Sequence, residues 1–361
     1  MPTSYAAAER GPEDKAVIPA DTSERAMPET PGWNGPTYYG RSQLKASPFN
    51  EWVVGGYVFL AGLSGSAMIL ATLADAARGG EARITVRNAR YMSLLAPVIG
   101  SPLLVWDLHT PQRFYNMLRI AKGTSPMSIG TWFLMSFTGF AGMSAGGELL
   151  SRWLPWTQVL ARAGQIPGAL TGAGIASYTA TLFSATSTPF WAASPKMLAV
   201  RFSSSSIVAG ASALALLEPA PDMRRRLEQI AAVALVSELG ATLVSDRIYE
   251  KAGVADARKS RWGKVETLGA TGLGIILPLG LHAMAHFTDR RTSRQLRILA
   301  SIAGMAGSAM LRVSMIGVGD ESARRPDISF RFSQPENLPD PEQRWSIREK
   351  MRRILHARNK R

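Results

Sequence analysis

Runs of about twenty apolar residues alternate with short polar stretches through the middle of the chain. The runs fall at 52–74, 88–106, 128–150, 166–187, 197–217, 227–244, 265–287 and 296–318. At about 1.5 Å of rise per residue, each is long enough as a helix to cross a hydrocarbon layer roughly 30 Å thick. A helix pairs its backbone donors and acceptors within the segment, so the pattern predicts an all-α integral membrane protein with eight transmembrane helices. The fifth run is the least regular. It holds Arg201 and the serines at 203–206, so its first turn reads as lying in the interface or facing the bundle interior. Glycines concentrate inside the runs, as in GLSGSA (62–67), GFAGMSAGG (139–147) and GATGLG (269–274), and let helix backbones approach closely. An even number of crossings puts both termini on one face, here called side A.

Outside the runs the chain is polar. Residues 1–50 are rich in proline, alanine and charge and read as a flexible segment with no cleavable signal. Residues 51–319 read as the membrane domain and 320–361 as a polar basic tail, in which 342–360 has the spacing of a basic amphipathic helix. The formal net charge of +14 over 361 residues would suggest a polyanion partner for a soluble protein. Here the charges gather in the gaps and at the ends, which points to the lipid bilayer and away from nucleic acid. Basic residues are nearly balanced between the loops of the two faces, Arg78, Arg83, Arg87 and Arg90 falling to side B, so charge alone does not orient the chain.

The absence of cysteine excludes thiolate-held iron–sulfur clusters and disulfides. Of the four histidines only His282 and His286 fall in a run, one turn apart on one helix, so they cannot bind one haem iron from opposite faces. The chain is therefore expected to carry neither haem nor cluster. Glu238 and Arg312 are the deepest ionisable residues and read as a buried charge pair or proton path. Glu148, Glu218 and Asp246, at run ends, read as interfacial. Several groups share a depth near side A: Tyr57, Asp107, His109, Glu266 and Arg312, with Tyr178 deeper. A phenol or imidazole there can hydrogen-bond a small carbonyl compound while a carboxylate exchanges its protons.

These residues sit in stretches that resemble the NrfD and PsrC family of quinone-interacting membrane subunits of molybdopterin and iron–sulfur oxidoreductases. The stretches are YYGRSQLK (38–45), EWVVGGYVFLAGLSGSAMI (51–69), DLHTPQRFYNMLRIAKGTSPMSIGTW (107–132), SYTATLFSATSTPFWAASP (177–195) and MLRVSMIGVGDES (310–322). The family's usual DLGRP reads DLHTP here, so His109 and Thr110 stand where relatives have a glycine and a cation. The resemblance implies eight helices in two four-helix bundles and no redox centre in the chain. It also implies a bound menaquinone or ubiquinone, a four-cluster ferredoxin-like iron–sulfur partner and, through it, a catalytic subunit that can hold molybdopterin. Tyr178 matches the family's quinone-contacting tyrosine, Tyr57 falls where a relative has a histidine, and Arg312 matches a basic residue of the last helix. With that resemblance the residues read as quinone binding for Tyr57, Tyr178 and Asp107, proton exchange for Asp107 and His109, and partner docking for Arg113, Tyr115, Arg119 and Lys122. Such a subunit is not catalytic alone and lies in the inner (cytoplasmic) membrane, with termini and quinone site on the periplasmic face. Two other readings fit the same residues: a proton- or ion-coupled transporter, and a passive anchor for a peripheral enzyme.

Overall fold

The computed structural model describes residues 43–108 and 110–338, and these are helical with no strand among them. His109, most of the expected N-terminal segment and the expected helix at 342–360 lie outside the described residues. Helix α1 (Glu51–Arg78) starts at Asn50, whose side-chain oxygen accepts from the Trp52 and Val53 N–H groups at 3.1 Å each. It stops at Gly79, whose φ of 51° glycine adopts without strain. A 3-10 turn (Gly79–Ala82) then reverses the chain into α2 (Arg83–Met92), which a π-helical stretch (Ala96–Gly100) and α3 (Ser101–Trp106) prolong.

After the short α4 (Tyr115–Arg119) come α5 (Pro126–Leu150) and α6 (Thr157–Ser184), then α7 (Pro189–Ala192), α8 (Pro195–Leu217) and α9 (Pro221–Lys251). α10 (Arg261–Lys264), a π-helix (Val265–Ile276) and α11 (Leu277–Met284) run on as one rod, followed by α12 (Arg290–Arg324) and α13 (Pro326–Phe332). Helix occupies each of the apolar runs, so the all-α class holds over the described residues. Five segments are long and apolar enough to cross a membrane: Glu51–Trp106, Pro195–Leu217, Pro221–Lys251, Arg261–Met284 and Arg290–Arg324. The first of these, 56 residues long, contains the Gly79–Ala82 reversal. α5 and α6, of 25 and 28 residues, are long enough but diluted by Gly, Ser and Thr. Length and composition thus support a multi-pass membrane protein with five such segments, against the eight crossings expected.

The helices pack in two groups. α1, α2, α5 and α6 form one group and α8, α9, α12 and the rod containing α11 another, while α1 meets α8 and α12, and α6 and α2 meet α8, across the two. Glycines set the closest approaches: a Cβ on Gly65 would lie 2.3 Å from the Gly172 carbonyl oxygen, and one on Gly307 would lie 1.9 Å from Gly274 Cα. The chain before α1 is tied to the end of α12, where the Ser47 N–H and hydroxyl donate to Asp320 Oδ1 at 2.9 and 2.6 Å.

Candidate functional site

Tyr57, Asp107 and Tyr178 come together at the side-A end of the first helix group. The Asn50 N–H donates to Asp107 Oδ1 at 3.4 Å, which ties the start of α1 to the end of α3. Tyr57, two turns into α1, lines the same cavity as Tyr178 of α6. Tyr178 reaches from α6 across to α5, where its hydroxyl donates to the Pro126 carbonyl at 2.6 Å. It can do so because Gly130 has no side chain: a Cβ there would lie 2.1 Å from the phenol ring. Proline at the first position of α5 puts that carbonyl in the helix's first turn, close to the phenol.

Between the two tyrosines lies an apolar cavity. α1 contributes Tyr57 and Ala61, the first π-helix Ala96 and Gly100, α5 Met127, Gly130 and Leu134, and α6 Ile175 and Tyr178. Met117 of α4 also reaches the cavity, whereas Arg113, Tyr115, Arg119 and Lys122 of the same connection are exposed. That connection is fastened to α5, since the Ser128 hydroxyl donates to the Ile120 carbonyl at 2.8 Å and accepts from the Lys122 N–H at 2.8 Å. The segment 107–125 therefore joins a cavity wall to an exposed cationic face.

Glu238 and Arg312 lie elsewhere. Both are buried, at 3% and 1% exposure, but no ion pair joins them among the described residues. Arg312 Nη1 donates to Ser205 Oγ at 2.9 Å and to Ser308 O and Oγ at 2.7 Å, and Nη2 donates to Ser206 Oγ at 2.8 Å. Arg312 is thus held by serines of α8 and of its own helix, and the expected charge pair is not a direct contact. Arg312 does not line the tyrosine cavity; it meets α1 at Gly62, where a Cβ would come 3.0 Å from Nη2.

The structure adds a charged track that the sequence pattern did not reveal as a unit. Arg201 Nη2 meets Glu266 Oε1 at 2.7 Å, with both residues at or below 1% exposure. Arg258 pairs with the other Glu266 oxygen at 2.9 Å and with Asp246 at 2.7 Å. Arg201 Nε and Nη1 and the Tyr249 hydroxyl are buried without a partner among the described residues. Of the two placements open to Arg201, the bundle interior is the one found. Its signal was a cation inside an apolar run; Arg258, in a loop, carried none.

Three charges at run ends are more enclosed than their positions suggest. Glu148 and Glu218 are 7% and 4% exposed. Glu148 accepts from Arg90 Nη1 at 2.5 Å, and Glu218 accepts a short hydrogen bond from the Thr85 hydroxyl. Arg90, counted among the side-B loop cations, is likewise buried and 1% exposed. Arg90 and Glu148 leave water as an ion pair held across two helices and Glu218 against a hydroxyl of α2, contacts that no single-chain pattern displays.

Long apolar helices packed in two groups, with ionisable residues held between them, define a multi-pass membrane protein. The chain matches the family described as polysulphide reductase, NrfD, over residues 47–320, and it belongs to that family. No curated protein matches it. NrfD proteins are membrane subunits of oxidoreductase complexes and associate with other subunits.

Proposed function

We propose that the chain is the quinone-reactive membrane subunit of a respiratory oxidoreductase. It binds menaquinone or ubiquinone between Tyr57 and Tyr178 and exchanges electrons with an iron–sulfur partner docked on the 107–125 segment. The observation that carries this reading is a shared location. A cavity with apolar walls and two phenol hydroxyls, beside a carboxylate, adjoins a segment whose outer face presents Arg113, Arg119 and Lys122. A quinone head group is an apolar ring with two acceptor oxygens, and it needs those groups at its two ends. While the Tyr178 hydrogen is held by Pro126, the phenol oxygen offers lone pairs, which suits a quinol hydroxyl. Tyr57 makes no side-chain hydrogen bond among the described residues and is placed to donate to a carbonyl. Asp107, with His109 two residues on, exchanges the protons with side-A water.

The same reading gives the chain eight crossings in two four-helix bundles in the inner membrane, with side A periplasmic. Neither haem nor iron–sulfur cluster belongs to it. The partners are a four-cluster ferredoxin-like subunit and, behind that, a catalytic subunit of the molybdopterin type. The test is quinone affinity and quinone-linked turnover in the assembled complex. Tyr178→Phe is expected to weaken affinity roughly two- to tenfold, the worth of one hydrogen bond of about 0.5–1.5 kcal/mol. Asp107→Asn is expected to slow turnover while binding is kept, because it removes a proton acceptor and preserves shape. Wild-type values for both variants refute the site, and full quinone-linked turnover in them supports a passive anchor.

One observation favours a second reading. The track from Asp246 through Arg258, Glu266 and Arg201 toward Glu238 suits a proton- or ion-coupled transporter. Solute flux by the chain alone in liposomes, without quinone binding, selects that reading.

A further inference from the structure

We propose that a second cavity, at the side-B end of the first helix group, binds the phosphate of a membrane phospholipid. The cavity measures about 350 Å³, within the range of small-ligand pockets. It lies between the end of α1, the Gly79–Ala82 turn, the start of α2 and the connection from α5 to α6, at the far end of the group from the tyrosines. This proposal does not depend on the quinone reading.

The floor of the cavity is built from buried polar groups. Arg90 Nε donates to Gln165 Oε1 at 2.8 Å, and its Nη1 donates to Glu148 Oε2 at 2.5 Å. Gln158 Nε2 donates to the same carboxylate oxygen at 3.2 Å. Glu148 is thus neutralised, and Nη2 of Arg90 keeps no acceptor among the described residues. At the rim, the side chains of Arg83 and Arg162 are exposed and make no ion pair or hydrogen bond among the described residues. Asp75 is the other lining carboxylate, approached by Gln165 Nε2 at 3.5 Å. Three guanidiniums against two carboxylates leave one net positive charge.

Three features identify the ligand as lipid. Trp153 and Trp156, 70% and 63% exposed, stand on the α5–α6 connection, and exposed tryptophans at helix ends mark headgroup depth. Val159 and Ile166 share the α6 face of Arg162 at i−3 and i+4 and are 69% and 63% exposed, which gives acyl chains an apolar surface below the phosphate. Guanidinium forks match phosphate oxygens in pairs, and a basic pocket between helices at this depth suits an anionic headgroup.

The full chain in neutral detergent tests the proposal. Lipid retention by native mass spectrometry and thermal unfolding are measured with phosphatidylglycerol or with inorganic phosphate. Wild type is compared with Arg83→Gln/Arg162→Gln and with Arg87→Gln, an exposed arginine of α2 outside the cavity lining. Wild type and Arg87→Gln are expected to retain phosphatidylglycerol and be stabilised by it. The double variant is expected to bind it roughly 20- to 30-fold more weakly, the combined effect of two interfacial cations. Equal retention by wild type and the double variant overturns the site, as does an equal loss in Arg87→Gln. Stabilisation by inorganic phosphate without any response to lipid assigns the cavity to a soluble phosphate and overturns the lipid.

Discussion

At the scale of the residue, the arginines show how far single positions can be read. Arg312 announced itself as a cation deep in an apolar run, and it is buried as that depth required. Its companions are serines at 205, 206 and 308, spaced to face it from two helices, and nothing in their local sequence marks them as its partners. Arg201 makes the energetic argument testable. Arg201→Met leaves Glu266 buried with Arg258 as its remaining cation. Removing one partner of a buried pair costs about 3–5 kcal/mol, and the surviving Arg258 contact puts the expected loss near 3 kcal/mol. Reversible unfolding in mixed micelles measures it; a loss below about 1 kcal/mol means that the pair adds little over a methionine of similar volume. Tyr57 and Asp107 were grouped by the depth that chain direction assigns and Tyr178 by the family resemblance, whereas Glu266 and Arg312, given the same depth, lie away from the cavity. The bond from Tyr178 to Pro126 was not legible, since it depends on Gly130 leaving room for a ring from another helix.

At the scale of the element, periodicity located helix in every apolar run, while two features came from tertiary packing. The π-helices at Ala96–Gly100 and Val265–Ile276 have no compositional mark beyond their glycines and prolines, yet the first supplies a wall of the tyrosine cavity. α13 was assigned to a polar tail by composition and instead buries Ile328 and Phe332 in a core cluster that α1, α6, α8, α9 and α12 share. Asp256 holds it there: the carboxylate meets Lys259 at 2.8 Å and Arg331 of α13 at 3.3 Å, and its carbonyl accepts from Arg325. The Lys259 hydrogen bond foremost, with the charges of Lys259, Arg325 and Arg331, holds the Asp256 carboxyl below the ordinary aspartate range. A group whose pKa is lowered by folding stabilises above its unfolded value, about 3.9, and that contribution is lost as pH falls through the folded value. The contact is exposed to solvent, so it is worth less than about 1 kcal/mol. Limited proteolysis between α12 and α13 is therefore expected to quicken modestly below about pH 4 in the wild type. Asp256→Asn is expected to show the faster rate already at neutral pH. An identical pH response in the variant contradicts this role.

At the scale of the whole molecule, the membrane class was legible because about twenty apolar residues per segment cannot be buried otherwise in a chain of this size. The number of crossings was less so, because α5 and α6 trade apolar residues for the small ones that allow close packing. Reporter fusions in the loop at Trp153 and after Leu338 check the count, and the eight-crossing arrangement predicts opposite faces for the two. The same face for both breaks it. The central claim concerns the tyrosine cavity, and a titration of the purified full chain with a short-chain quinone, followed by intrinsic fluorescence, tests it most directly. The comparison is with Gly130→Leu, whose side chain enters the space now taken by the Tyr178 ring. Saturable binding by the wild type, weakened at least tenfold in Gly130→Leu while thermal unfolding shows that variant still folded, is the predicted result. Binding that does not saturate, or that is equal in the two chains, contradicts the account.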